Sequence, residues 1–311
     1  MTTPALDGDP RKARAARLSI ASNLTLIALK IAAGVVTGSV AIITEAVHSS
    51  IDLVASVVAW FSVRKAEEPA DESHPYGHEK VENLAAALEG VLIVLGAGII
   101  IYEAIAKIGS PSVDRIGIGI AVIGVSTAVN FGVSRYLYRQ ARLTDSPALE
   151  GDAAHLRTDA ITSLGVLVAL GLVSAMGAEV LDPIAALLVA CAIVFAGVRL
   201  VTRSSRVLVD EALPDEELAS VAEAIRGCGA DEVIGFHKLR ARRAGSRRYL
   251  DLHVQFRRGT SLERAHRVSH DLQAAIRERL RGADVLIHLE PEDVADRESP
   301  RDRSGERLSA G

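Results

Sequence analysis

Apolar positions crowd into the first two thirds of the chain. They form six runs, over 18–37, 40–63, 81–108, 116–137, 151–178 and 181–201, each near the roughly 20 residues a helix needs to cross hydrocarbon. Connections as short as Gly38-Ser39 and Glu179-Val180 force antiparallel hairpins. From Pro214 the period changes. PDEELASVAEAIRGC predicts an amphipathic helix with a proline at its start. EVIGFHKLRAR and RRYLDLHVQFR alternate as strands do, SLERAHRVSHDLQAAIRERL has helical spacing, and ADVLIHLEP reads as a last strand. The expected fold class is a membrane all-α bundle of six transmembrane helices followed by a small α+β domain of order αββαβ. Residues 1–16 are expected to be a tail, 17–207 the membrane domain, 208–293 the soluble domain and 294–311 a disordered polar tail.

Composition sharpens this division. The 311 residues are 49% hydrophobic yet 24% charged, a mixture that fits two regions in different solvents. A net charge of −4, from 35 basic against 39 acidic residues, shows no basic footprint, so no nucleic-acid partner is expected. Lys and Arg cluster before the first run, between runs two and three, between four and five, and after six. The opposite side has only Lys107 and Arg115. Positive charge is retained on the cytoplasmic side during insertion, so both termini are expected there. The N-terminal MTTPALDGDPRK lacks the apolar core of a cleavable signal, so the first span is expected to stay in the protein. Cys191 and Cys228 are isolated, which argues against a thiolate zinc site.

Two pentapeptides break the apolar pattern: HSSID at 48–52 and HLRTD at 155–159. A charge at the bilayer centre costs roughly 2.5–3.5 kcal/mol on insertion scales, so such residues face a partner, a cavity or a path. Positions four apart on a helix share a face, one turn from each other. His48 with Asp52, and His155 with Asp159, therefore form two like faces. Brought together, they supply two imidazoles and two carboxylates, a set suited to a tetrahedral divalent ion. The alternative is a hydrogen-bonded pair that joins helices, which repetition in a second span disfavours. Glu45 occupies the adjoining turn. Asp52 lies about 18 Å along its helix from Val40 and Asp159 about 25 Å from Met176, so hydropathy sets the second pair nearer the cytoplasmic interface.

The residues TEAVHSSIDLVAS, DESHPYGHEKVENLAAALEG, SPALEGDAAHLRTDAITSLGVL and DEALPDEE together resemble the cation diffusion facilitator family of metal transporters, over nearly the whole chain. The resemblance implies a transport site at His48, Asp52, His155 and Asp159. Histidine at both leading positions is similar to the zinc-preferring branch, so Zn²⁺ is the expected ion. Cd²⁺, Fe²⁺, Co²⁺, Ni²⁺ and Mn²⁺ stay open, because late transition metals lie close in affinity. The resemblance also implies exchange for protons. An imidazole must be neutral to bind metal and titrates near cellular pH; His48 and His155 are the expected proton acceptors.

Further sites follow from the same resemblance. Asp71, His74 and His78 match a loop metal site, against which stands a plain turn at Pro75 and Gly77. Of nine histidines, five fall after residue 208. His237, His253, His266 and His288 match a cytoplasmic metal site, with Glu290 where an aspartate is common. His270 reads as a surface histidine. Lys80 and Asp210 match an interdomain ion pair, although Lys80 also fits interfacial snorkelling. Glu89 fits either a proton relay or a water-filled crevice. Expected partners are a second copy of the chain, the lipid bilayer, divalent metal ions and protons. The absence of a histidine-rich insert at 137–150 resembles members of prokaryotic cell membranes. Two competing readings are a membrane-anchored metal sensor and a zinc enzyme; the latter lacks an accompanying nucleophile or general base, so no enzyme activity is expected.

Overall fold

The computed structural model describes residues 9–37, 40–106, 117–176, 181–228, 231–292 and 306–307. The chain divides between Leu208 and Val209 into two compact units.

The first unit consists of six long helices: α1 Pro10–Thr37, α2 Val40–Ala66, α3 Lys80–Ala106, α4 Gly117–Thr144, α5 Pro147–Met176 and α6 Leu181–Leu208. Each has 27–30 residues. At 1.5 Å per residue that is about 40–45 Å, longer than the roughly 30 Å hydrocarbon layer. Among the described residues, three segments are long and apolar enough to cross a membrane: Pro10–Val36, Lys80–Tyr102 and Leu187–Leu208. The surface is inverted relative to a soluble bundle. Leu188 and Phe195 are 69% and 71% exposed, whereas Ser19, Ser56, Glu89 and Asp152 are fully buried. Large apolar side chains outside and small or polar ones inside are what a lipid solvent selects. The chain therefore has a multi-pass membrane domain.

Helix pairing follows the small residues. α3 packs chiefly on α6, α4 on α5 and α1 on α2, while α5 also touches α1, α2, α3 and α6. At the α3–α6 crossing, Gly90 and Gly197 let the backbones approach closely: a Cβ on Gly197 would meet Val94 Cγ2 at 2.7 Å and the Gly90 carbonyl at 3.0 Å. The first turn of α5 is set earlier than hydropathy predicts. Pro147 opens the helix, and the Ser146 hydroxyl accepts a bond from the Leu149 N–H.

The second unit has α7 Asp215–Gly227, β1 Val233–Ala244, β2 Arg247–Phe256, α8 Leu262–Arg279, β3 Ala283–Pro291 and a two-residue β4, Glu306–Arg307. The sheet order is β3-β2-β1-β4. Strands β1 and β2 form an antiparallel hairpin whose turn has Gly245 at φ 53°, and β3 returns through α8 to lie parallel to β2. Ser261 caps α8 by accepting from the Arg264 N–H. Val221 and Ile225 of α7, Leu250, Leu252 and Val254 of β2, and Val268, Leu272 and Ile276 of α8 close one apolar core. The predicted αββαβ order is therefore observed. β4 pairs Gly235 and Phe236 from within the stretch that the sequence reads as elementless tail; residues 294–305 and 308–311 lie outside the described ones.

Candidate metal centres

Helices α2 and α5 meet inside the membrane unit. Asp52 Oδ1 stands 3.2 Å from His155 Nε2, and Asp159 Oδ2 lies 3.8 Å from the same nitrogen. One ligand atom from each of these three residues lies within 4.8 Å of the others. Donors about 2.0–2.2 Å from a tetrahedral ion sit about 3.3–3.6 Å from one another, so the trio fits a single Zn²⁺-sized cation. Hydropathy sets the second pair nearer the cytoplasmic interface, yet both carboxylates reach the same His155 nitrogen; α5 simply runs further past the site on the Met176 side than α2 does on the Val40 side. His48 and Glu45 belong to α2, but their side chains lie outside the described residues.

A buried polar ladder adjoins this trio. Asn23 donates to the Ser56 hydroxyl at 2.9 Å, and Ser56 donates to Asp152 Oδ1 at 2.8 Å. Both Glu89 carboxylate oxygens, Asp152 Oδ2 and His155 Nδ1 are buried without a hydrogen-bond partner among the described residues. Buried polar atoms of this kind take water or an ion as partner. Further along the bundle, Lys30 of α1 is buried and donates to Ser49 Oγ at 2.6 Å. Near the opposite end, Lys12 Nζ meets Glu82 Oε1 at 2.7 Å, and Ser146 bonds the other Glu82 oxygen. The sequence reading missed Asp152, Lys30 and the Lys12–Glu82 pair. The signal was the one that marked His48 and Asp52: a charged side chain against or within an apolar run.

The loop before α3 holds a second trio, Asp71, His74 and His78. Asp71 Oδ1 accepts from the His74 N–H at 2.6 Å, and Asp71 Oδ2 lies 3.3 Å from His78 Nε2. The backbone bond from His74 leads in holding the Asp71 carboxyl below its ordinary range. Gly77, at φ 90°, donates its N–H to the His74 carbonyl, and this turn brings the two imidazoles to 4.5 Å between centroids. The turn and the candidate site are thus one structure.

In the second unit the strand register places His237 opposite His253, and His253 opposite His288. Glu290, two residues past His288 on the same strand, reaches back under the row. Its oxygens bond His237 Nε2 at 2.7 Å and His253 Nδ1 at 2.5 Å, and lie 3.8 Å from His288 Nε2. Burial pushes the Glu290 carboxyl up, but these bonds outweigh it and hold it below its usual value. His237, His253 and Glu290 converge as ligands, while His288 sits exposed at the edge. His266 does not join them within the chain; on α8 its Nε2 stands 3.3 Å from that of His270. Lys80 donates to the Leu208 carbonyl in the first unit, and Asp210 accepts from Arg242 in the second.

Comparison with known proteins agrees with a helical membrane domain followed by a cytoplasmic one. The cation efflux transmembrane domain matches residues 16–209, and the cation efflux protein cytoplasmic domain matches 213–292. The chain belongs to the cation diffusion facilitator family. It is 34% identical over 298 residues to the cation-efflux pump FieF of Yersinia pestis, covering 93% of this chain and 97% of that protein. It is 36% identical to an uncharacterized transporter of Synechocystis, over 88% of each chain. A solved structure described as the zinc form of a putative zinc transporter, CzrB, is 36% identical over 29% of this chain and 99% of that one, at TM-score 0.25. Membership makes the chain a cation-efflux membrane transporter rather than an enzyme.

Proposed function

We propose that the chain exports Zn²⁺ from the cytoplasm in exchange for protons, as a homodimer in the cell membrane, with all six helices spanning and both termini cytoplasmic. The observation that carries this reading is the convergence of Asp52, His155 and Asp159 deep between α2 and α5. His48, on the face of α2 that bears Asp52, supplies the fourth ligand. Two neutral imidazoles and two carboxylates balance a divalent charge, and nitrogen donors in a tetrahedral set favour zinc over oxygen-loving Mg²⁺ or Ca²⁺.

Proton exchange follows from the ligands. An imidazole holds metal only while neutral, so protons arriving at His48 and His155 from an acidic side compete with the ion and expel it. Opening toward the cytoplasm reverses the exchange. Alternating access by rocking of helix pairs moves the site between the two media. The loop trio, and His237, His253 and Glu290 with His288 and His266 added by the family resemblance, hold regulatory zinc.

Uptake of Zn²⁺, Mn²⁺ and Fe²⁺ into proton-loaded vesicles carrying the purified protein tests the reading. Zinc flux driven by the pH gradient is expected, and Asp52→Ala and Asp159→Ala should abolish it. Flux indifferent to the gradient would remove the antiport, preference for Mn²⁺ would remove zinc, and no flux at all would favour a metal sensor.

A further inference from the structure

Two carboxylates of the membrane unit stand outside the trio of Asp52, His155 and Asp159 and are left unsatisfied. Glu89 of α3 and Asp152 of α5 are both fully buried. Neither Glu89 oxygen has a hydrogen-bond partner among the described residues; Asp152 has one oxygen held by Ser56 and the other open. The two acids are close. A Cβ on Gly151, the residue before Asp152, would meet Glu89 Oε2 at 2.9 Å, so the Glu89 carboxylate lies against the α5 backbone. The charged groups that act on Glu89 are Asp152 and His155. An unmet acid is not general in this bundle: Glu82, two turns earlier on the same face of α3, is satisfied by Lys12 and Ser146. A buried carboxylate without a donor is costly until water, a proton or a cation meets it. Asp152 lies about 4.5 Å along α5 from His155, on the Pro147 side. Two acids there match the charge of a divalent ion and offer it oxygen donors alone.

We propose that Glu89 and Asp152 form a cation-binding station one turn short of the trio, where a divalent ion entering from the Lys80 and Pro147 ends of α3 and α5 pauses before it reaches Asp52, His155 and Asp159. The direction of travel rests on the transport reading above; the binding itself does not. Carboxylate oxygens without imidazole discriminate little between Zn²⁺ and Mn²⁺, so the station holds either ion weakly, with water completing its shell. Selection falls to the trio, which adds a nitrogen donor. A station on the path changes how fast the trio loads and leaves its equilibrium affinity unaltered.

Equilibrium dialysis of the full chain in detergent against Zn²⁺, counting zinc per chain, tests this. Glu89→Gln and Asp152→Asn should each remove a single weakly held ion and leave the tight phase unchanged, with helical circular dichroism preserved. Glu89→Asp, which keeps the carboxylate, should retain the ion. In vesicles, Glu89→Gln should raise the zinc concentration at half-maximal flux about tenfold or more, while flux at saturating zinc changes little. The proposal is overturned if both charge-removing variants bind as many ions as wild type, or if they deplete the tight phase, since the acids then belong to the trio or to the fold. It is equally overturned if Glu89→Gln keeps the full count and only moves the pH dependence of flux, as loss of a proton carrier would. Absence of flux in the wild type would sink the transport reading, and the dialysis count would still decide the station.

Discussion

Asp52 and His155 are separated by 103 positions in the chain, yet their Oδ1 and Nε2 atoms stand 3.2 Å apart inside the bundle. In the proposed function, this pair is where α2 and α5 share an ion. Asp52→Asn keeps the shape and removes the charge. Losing groups that merely orient ligands lowers metal affinity about 10–100-fold, so losing a ligand itself should exceed that. Zinc efflux in vesicles should fall to the level of protein-free controls while thermal unfolding stays near wild type. Residual efflux within tenfold of wild type would mean that Asp52 does not ligate.

The Lys12–Glu82 pair is the reverse case, a charge pair with a structural role. Both side chains are almost fully buried, and the pair ties the start of α1 to the start of α3. Glu82→Ala breaks this buried pair, and breaking a buried pair from one side costs about 3–5 kcal/mol. Glu82→Ala should lower the unfolding temperature in detergent markedly. Combining Lys12→Met with Glu82→Met should recover much of the loss, because both charges of the pair are then removed together. A double variant no better than the single one would contradict this account.

Much of this was legible along the chain, and the exceptions share a cause. Periodicity within one element placed His48 and Asp52 on one turn, and strand alternation put His253 and His288 on strands that turned out adjacent. Periodicity says nothing about which elements meet. Asp152 therefore passed unnoticed three residues before His155, although it is buried against Ser56 of α2. Lys30 escapes the sequence reading because a single lysine in an apolar helix makes no repeated pattern; Ser49, to which it donates, comes from the neighbouring helix. The start of α5 was read late because Pro147 and Glu150 weaken hydropathy, whereas capping at Ser146 decides the boundary. Family likeness groups His266 with the strand histidines, and its contact with His270, one turn along α8, carries no signal of its own in the sequence.

Close approach of α3 and α6 depends on two glycines. A side chain at position 197 would run into Val94 and the Gly90 backbone, neither of which is the free end of a flexible group. Overpacking of this kind costs about 1–3 kcal/mol. Gly197→Val should lower thermal stability by that amount and reduce transport, because the helix pair separates. Gly132→Ala is the control: a Cβ there meets nothing within 4 Å, so it should be silent in both assays.

Metal should stabilise the second unit through Glu290. An ion that binds only the folded state adds RT ln(1 + [L]/Kd), about 2.7 kcal/mol at a hundredfold excess over Kd. The unfolding transition of this unit should rise with added Zn²⁺ and fall when a chelator removes it. Glu290→Ala withdraws the carboxylate that joins His237 and His253, so its transition should ignore zinc. A zinc-dependent shift of wild-type size in Glu290→Ala would show that the histidines bind without it.

Glu232, just before β1, accepts from Arg264 Nε at 2.7 Å and ties that strand to the first turn of α8. The hydrogen bond from Arg264 is the leading reason its carboxyl lies below the ordinary value of 4.5. A depressed folded value means that stabilisation is fully present above 4.5 and is lost as pH falls through the lower, folded value. The difference in unfolding temperature between wild type and Glu232→Gln should therefore be constant from neutral pH to about 5.5 and vanish under more acid conditions. Both groups are solvated, so the difference is small and should shrink further in 1 M salt. A difference that grows toward acid pH would reverse the sign and show that the carboxyl is stabilised in its protonated form.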